Sequence, residues 1–141
     1  LNKAMKSVHL HFPHLEVSLK VEPEAECVLA DKDRMTQVFV NILENAARYN
    51  DKEKPTCNVR SEKIDDSVVI SFSDNGIGVS EKHLSKIFDS FYQVDMGLGR
   101  KVGGTGLGLS ICRGIMAAHG GKIWAEQNPK GGTVFKISLS L

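Results

Sequence analysis

Apolar residues recur at helical spacing over two stretches of the chain. The clearer stretch starts after Asp31, a residue type that favours helix N-caps, and its apolar positions recur every three or four residues. A second helix is predicted over residues 105–118, ending at Gly120 and Gly121. A short helix is expected to start at Ser80. The apolar face of the first helix is predicted to comprise Met35, Val38, Phe39, Ile42, Leu43 and Ala46.

Strands are predicted where apolar and polar residues alternate or where a short apolar run lies between turn residues. Because helices and strands are interspersed while the last two strands form an antiparallel hairpin, the pattern favours a two-layer α/β (α+β) sandwich. We expect a mixed, largely antiparallel sheet of about five strands with three main helices on one face. The strands are predicted over residues 15–21, 27–30, 56–61, 68–73, 122–126 and 133–139.

Length and composition predict one domain over residues 1–141 and exclude several functional classes. With 18 basic and 17 acidic residues, the chain has no field that would gather nucleic acid or a membrane surface. Its three cysteines are widely spaced and form no CxxC pair, which disfavours a disulfide framework and a zinc site. No apolar run approaches the roughly 20 residues that span a bilayer. We expect a soluble, cytoplasmic chain without direct membrane contact, and membrane anchoring of a longer parent protein stays open.

Three polar residues of the first helix, Asn41, Asn45 and Arg48, share one stripe beside its apolar face. Two carboxamide oxygens one turn apart can ligate a hard cation such as Mg²⁺, and a cationic side chain one turn further can contact phosphate. Taken alone, this spacing is more typical of a solvent-exposed polar face. The interpretation therefore depends on the neighbouring motifs.

Residues 74–78 follow a predicted strand with Asp-Asn-Gly-Ile-Gly. Taken alone, Asp-Asn-Gly is typical of a plain hairpin turn. Two glycines spaced by one residue also let a backbone approach a flat ligand closely. Asp74 could accept a hydrogen bond from an exocyclic amine, which adenine has and where guanine presents a carbonyl.

A glycine-rich segment over residues 103–108 leads into the second helix, whose N-terminal N–H groups favour an anion. It is not a Walker A loop, because no GxxxxGKS or GxxxxGKT pattern occurs in the sequence, and it is not a dinucleotide fingerprint, because Leu109 stands where the third glycine would be. A glycine hinge without a ligand is the alternative. Before it, residues 87–92 offer aromatic anchors at the start of a long aperiodic loop.

In order and spacing, these four motifs resemble those of the catalytic ATP-binding domain of bacterial sensor histidine kinases, over nearly the whole chain. Residues 37–49 are similar to that family's N box, 74–78 to its G1 box, 88–91 to its F box and 104–108 to its G2 box. The resemblance implies a protein-histidine kinase of a two-component system. It would transfer the γ-phosphoryl group of Mg-ATP to a histidine on a separate helical hairpin of the same parent protein, and through it to a response regulator.

The resemblance also implies a set of site residues. Asn41 and Asn45 would hold Mg²⁺, Asp74 would read the adenine amine, and residues 90–104 would form a lid over the nucleotide. The catalytic residues would be Asn41, Arg48, Arg100 and Lys101. Nucleotide contacts would come from Asn41, Asn45, Arg48, Tyr49, Asp74, Gly76, Gly78, Phe88, Gly104, Thr105, Gly106, Leu107, Gly108 and Thr133.

The chain departs from the family pattern at two points. Gln93 stands where many relatives carry arginine, so Arg100 or Lys101 would supply the charge at the γ-phosphate. None of the five histidines precedes an acidic residue, as the family's phosphoacceptor does. We expect His9, His11 and His14 in a loop beside Pro13, and a metal site there is disfavoured because no carboxylate or cysteine completes the set.

Two alternatives to the kinase stay open at this point. One is an ATPase of the same fold that drives a conformational cycle, as in heat-shock chaperones and gyrase. Those proteins use a glutamate base where this chain has Asn41, although Glu44 lies near the stripe. The other is a degenerate module that binds nucleotide only as a regulatory ligand.

Overall fold

A mixed five-stranded sheet forms one layer of the computed structural model, which describes residues 1–25, 27–94 and 106–141. The strands lie in the order β1-β2-β3-β5-β4. β1 pairs with β2 in parallel, and the other three pairings are antiparallel. The prediction of a mixed, largely antiparallel sheet is therefore confirmed. The strands are β1 (Glu16–Val21), β2 (Thr56–Ile64), β3 (Ser67–Asp74), β4 (Lys122–Gln127) and β5 (Thr133–Ser140).

The helices form the second layer. Asp31 caps α2 by accepting hydrogen bonds from the N–H groups of Asp33 and Arg34, both at 2.9 Å. All six residues predicted for the apolar face of α2 are buried. No helix within the described ranges is long and apolar enough to cross a membrane. The α-helices are α1 (Asn2–His11), α2 (Lys32–Arg48) and α3 (Gly108–Ala118), and short 3-10 helices cover Pro23–Ala25, Glu81–His83 and Lys86–Phe88.

One face of β2, β3 and β5 carries the core beneath the helices. Phe72 of β3 is 1% exposed and packs against Phe39 of α2, with ring centroids 5.9 Å apart. Full burial of such a side chain contributes roughly 1.5–3 kcal/mol to the stability of the fold. The same face ends in two buried polar residues, Asp74 of β3 and Thr133 of β5. Asp74 and Thr133 are therefore buried polar side chains at the edge of the apolar core.

Two predictions near the N-terminus are wrong. Residues 27–30 form no strand: they connect a 3-10 helix to the Asp31 cap, and Leu29 is 98% exposed. A short apolar run becomes a strand only where a neighbouring strand can pair with it. The histidines His9 and His11 lie in helix α1 rather than in a loop.

The beginnings of the other two predicted helices differ in detail. α3 begins at Gly108 and not at residue 105, because Gly106 has a φ of +69° that no right-handed helix contains. Residue 105 itself lies outside the described residues. The short helix after Ser80 is present as a 3-10 turn, but the serine side chain makes no capping hydrogen bond.

Candidate functional site

One cavity of about 370 Å³ lies where α2, the ends of β3 and β5, and the start of α3 meet. This volume falls in the roughly 300–1,000 Å³ range of small-molecule sites. The cavity brings together the predicted stripe of α2, the turn after β3 and the glycines before α3. Among the predicted site residues, those that line it are Asn41, Asn45, Arg48, Tyr49, Asp74, Gly78, Gly106, Gly108 and Thr133.

Two asparagines present amide oxygens on the α2 wall of the cavity. The Asn41 amide nitrogen donates to the carbonyl of Gly108 at 3.3 Å and lies 3.5 Å from Sγ of Cys112. These contacts fix the carboxamide and leave its oxygen for a ligand. The Asn45 side chain makes no hydrogen bond to a described residue, so its oxygen is also available.

Glu44 and Arg48 form a charged pair on the α2 wall of the cavity, next to the two asparagines. Arg48 Nη2 lies 3.5 Å from Glu44 Oε2, and both residues line the cavity. The two side chains keep about a third and a quarter of their surface exposed, 35% and 26%. The pair therefore places one cationic and one anionic group beside the asparagines.

Asp74 divides its two carboxylate oxygens between the fold and the cavity. Oδ1 accepts hydrogen bonds from the backbone N–H groups of Gly76 at 2.9 Å and Thr133 at 3.1 Å. Oδ2 has no hydrogen-bond partner in the described part of the chain, and the residue is only 6% exposed. Burial raises the pKa of this carboxyl, an effect that the two N–H bonds oppose in part. A ligand N–H donated to Oδ2 would stabilise the ionised form.

Glycines let the turn after β3 pack closely on its neighbours. A Cβ at Gly76 would lie 2.3 Å from the carbonyl oxygen of Tyr49, which also accepts the N–H of Ile77 at 3.0 Å. A Cβ at Gly132, whose φ is +92°, would lie 2.1 Å from the carbonyl oxygen of Asp74. A side chain at Gly76 would push the turn away from the end of α2, and a side chain at Gly132 would push Asp74 away from the start of β5.

Backbone contacts join the two described ends of the segment that precedes α3. The Phe91 N–H donates to the carbonyl of Gly106 at 3.0 Å, and a Cβ on Gly106 would lie 2.9 Å from the Phe91 Cα. The next residue, Tyr92, lines the cavity and hydrogen-bonds through its hydroxyl to Nδ1 of His83. His83 therefore helps to fix the tyrosine ring at the cavity wall.

The N-terminus of α3 faces the same space. Gly108, its first residue, lines the cavity, and its N-cap residue Leu107 has an apolar side chain that cannot satisfy the first N–H groups. Such a helix start favours an anion.

The remaining predicted site residues lie elsewhere. Phe88 is in the core, 5% exposed, and packs edge-to-face on Phe135 with centroids 6.3 Å apart. Gly76 and Leu107 support the cavity without lining it. The predictions for Arg100, Lys101, Gly104 and Thr105 fall outside the described residues.

Sequence reasoning missed the apolar side of the cavity. The missed apolar residues lie within the sequence motifs or close to them. Their closeness to the motifs was therefore the available signal that they line the cavity. The missed lining residues are Ile77, Val79, Ile87, Tyr92, Val94, Leu109 and Phe135.

The described residues contain no cluster of three or more His, Cys, Asp or Glu side chains that could hold a metal ion. A cation in this cavity would depend on the amide oxygens of Asn41 and Asn45, together with oxygens of a ligand. Hard cations such as Mg²⁺ accept that donor set and commonly retain phosphate oxygens and waters. The residues present therefore fit a magnesium ion that arrives with a phosphate ligand.

Residues 30–141 match the family described as histidine kinase-, DNA gyrase B-, and HSP90-like ATPases. Over 110 residues, 77% of this chain, the sequence is 44% identical to the sensor protein kinase WalK of Staphylococcus haemolyticus strain JCSC1435. The chain spans only 18% of the length of that relative.

Two solved structures illustrate the shared fold. Full-length ShkA in complex with AMPPNP superposes with a TM-score of 0.79 and 26% identity, covering 96% of this chain and 28% of ShkA. Histidine kinase ThkA in complex with the response regulator protein TrrA gives a TM-score of 0.74 and 29% identity, covering 99% of this chain and 40% of ThkA. The predicted two-layer α/β fold is confirmed by these superpositions.

Proposed function

We propose that this chain, which belongs to the family of histidine kinase-, DNA gyrase B- and HSP90-like ATPases, is the catalytic ATP-binding domain of a sensor histidine kinase. The observation that carries the proposal is that the α2 asparagines, Asp74 and the start of α3 line the same cavity. The reaction is transfer of the γ-phosphoryl group of Mg-ATP to a histidine on a separate hairpin of the parent protein. From that histidine the phosphoryl group passes to a response regulator in the cytoplasm, and the complex of ThkA with TrrA supports such a partner.

The adenine end of the nucleotide would lie against Asp74 and Thr133. The available Oδ2 of Asp74 accepts from the adenine N6 amine, while a guanine carbonyl at that place would repel it. Gly78, which lines the cavity with a φ of +78°, lets the backbone approach the flat base.

The phosphate end would lie between α2 and the start of α3. The N–H groups at the start of α3 and the Arg48 guanidinium provide positive potential for the phosphate oxygens. Asn41 and Asn45 would hold Mg²⁺ through their amide oxygens. Bound Mg²⁺ neutralises the charge that develops on the phosphates during transfer. Many relatives carry an arginine at the position of Gln93. We propose that Arg100 or Lys101 supplies the positive charge at the γ-phosphate in its place.

Hydrolysis of ATP by water is the second candidate, favoured by the Glu44 carboxylate on the cavity wall. That carboxylate is 3.5 Å from Arg48, so a cation already engages the group that would have to accept the water proton. We therefore expect phosphoryl transfer to a histidine to be faster than hydrolysis of ATP.

Asn45→Ala is expected to remove most of the magnesium-dependent gain in ATP affinity while leaving the fold intact. Among the described residues the side chain has no hydrogen-bond partner to lose, so its truncation costs the fold little, whereas a metal ligand disappears. We expect a loss of at least the roughly 10–100-fold that changes in outer-shell partners cause at metal sites. Calorimetric titration with ATP, ADP and GTP, with and without Mg²⁺, measures it.

Asn58→Ala is the matched control, because Asn58 is exposed on β2 and its neighbours Cys57 and Val59 face the core. This variant should titrate like the wild type. Unchanged magnesium dependence in folded Asn45→Ala would remove the metal assignment. Failure of the wild type to bind Mg-ATP at all would overturn the proposed function.

ATP affinity is expected to fall as the pH is lowered through the pKa of Asp74. Burial holds that pKa above the ordinary aspartate value, so the fall begins at a higher pH than for an exposed aspartate. Protonation weakens the acceptor that the adenine amine needs. The stability of the nucleotide-free protein depends on pH in the opposite direction to its ATP affinity. The contribution of this carboxyl to stability is present at low pH and is lost as the pH rises through the raised pKa.

Titrations of ATP across the acidic range check this pH dependence. Asp74→Asn, which has no proton to gain there, should show a flatter profile. Identical profiles for the two proteins would assign the pH dependence to another group.

A further inference from the structure

An aromatic ring from the end of α1 lies against the cationic residue of the cavity. The Cζ atom of Arg48 is 5.8 Å from the centroid of the Phe12 ring. This distance is inside the ~6 Å range over which a guanidinium is attracted to the negative face of an aromatic ring. Phe12 precedes residues 30–141, the part of the chain that matches the ATPase family.

Backbone hydrogen bonds hold the ring in place. The N–H of Phe12 donates to the carbonyl of Val8 at 2.8 Å, and its carbonyl accepts the N–H of Leu15 at 3.1 Å. The side chain is partly buried against the core, into which the buried Ala4 and Val8 anchor α1. The position of the ring therefore follows from the way α1 ends and packs on α2.

Arg48 contacts Glu44 as well as Phe12. Glu44 Oε2 lies 3.5 Å from Nη2, one turn earlier on α2. An arginine side chain has many rotamers, and each contact that selects one of them reduces the entropy lost when a phosphate binds. The carboxylate and the ring together select a rotamer that keeps the guanidinium on the cavity wall.

We propose that Phe12 is a positioning residue for the nucleotide phosphates and acts through Arg48. The inference rests on the proposed function, since it takes the ligand of the cavity to be ATP. It extends the nucleotide site beyond the family match, because α1 then contributes to phosphate affinity. Phe12 itself does not line the cavity.

Phe12→Leu keeps an apolar side chain of similar reach but removes the ring face. We expect it to weaken Mg-ATP binding about 2- to 5-fold, the size of a partly exposed cation–π contact. Adenosine lacks phosphates, so its affinity should not change. Phe12→Tyr and Phe12→Trp, which keep a ring face, should restore the ATP affinity. Calorimetric titration of each variant with Mg-ATP and with adenosine measures the two changes in affinity separately.

Two controls separate this role from general loosening of α1. Val8→Ala truncates a core side chain that is 1% exposed and should lower thermal stability without changing the ratio of ATP to adenosine affinity. In an Arg48→Gln background, Phe12→Leu should have no further effect on ATP. A wild type that binds no ATP would overturn the proposed function and this inference with it. If the wild type binds ATP, equal losses for ATP and adenosine, or additive effects of the two substitutions, would overturn this inference alone.

Discussion

Asp74→Asn is expected to turn the base preference of the domain from adenine towards guanine. The asparagine oxygen can replace Oδ1 as acceptor for the N–H groups of Gly76 and Thr133, which then places an NH2 group where Oδ2 was. That group opposes the adenine N6 amine and matches the guanine O6 carbonyl. ATP should lose about 1.5–3 kcal/mol, the size of a charge-assisted hydrogen bond, or roughly 10- to 150-fold in affinity. Parallel titrations with ATP and GTP measure the change.

Asp74→Ala is the companion variant. It removes both oxygens, so the ATP preference should disappear without reversing. It also leaves two buried N–H groups without their acceptor, and each costs about 1–3 kcal/mol of stability. Thermal unfolding therefore distinguishes the two variants, with alanine the less stable. If Asp74→Asn still prefers ATP as strongly as the wild type, the base is read by another group.

The parts of the fold that depend on local sequence were predictable. The apolar period of α2 and its Asp31 cap lie within one stretch of chain, and every residue predicted on that face is buried. The strands predicted over residues 56–61 and 68–73 are likewise close in sequence, and they pair along their length in the structure. In these elements, local propensity and tertiary packing favour the same structure.

Predictions failed where long-range contacts decide the structure. Residues 27–30 are a short apolar run, but no strand in the described ranges pairs with them, and they form an irregular connection to the Asp31 cap instead. Helix α1 was overlooked because the histidines and Pro13 favoured a loop. Its core residues Ala4 and Val8 are nevertheless one turn apart, a signal present in the sequence.

The candidate site shows the same division. The motif residues Asn41, Asn45 and Arg48 of α2 line the same cavity as Asp74. By contrast, no sequence motif predicts the contact between Phe12 and Arg48 or the hydrogen bond between His83 and Tyr92. Each depends on how a helix or turn packs, which spacing along the chain does not encode.

The five histidines of this chain are poorly placed to accept a phosphoryl group. None precedes an acidic residue. Both ring nitrogens of His119 are engaged: Nδ1 with the Ile115 carbonyl at 2.8 Å, and Nε2 with the Asp31 N–H at 3.1 Å. His83 is hydrogen-bonded to Tyr92 through Nδ1. Under the proposed function, we therefore expect the nucleophilic nitrogen to come from a separate molecule when this chain is studied alone.

We accordingly expect the 141-residue chain to bind ATP without labelling itself and to transfer phosphate only when a hairpin carrying an acceptor histidine is added. In-line transfer requires the attacking nitrogen within about 3–3.5 Å of the γ-phosphorus, a geometry that an unlinked hairpin reaches only by docking. Labelling should therefore be slow and should rise with hairpin concentration.

The experiment incubates the chain with γ-labelled ATP, first alone and then with a cognate hairpin, and tests the label for acid lability. A hairpin whose histidine is replaced by glutamine is the matched control and should stay unlabelled, and Asn45→Ala should label the intact hairpin far more slowly. Acid-labile phosphate on the chain alone would mean that one of its own histidines is an acceptor. Release of inorganic phosphate at the same rate with and without hairpin would favour hydrolysis. Binding of ATP with neither transfer nor hydrolysis, even at high hairpin concentration, would make the domain a nucleotide-binding regulatory module, because the cavity would then hold its ligand without directing the γ-phosphate to any nucleophile.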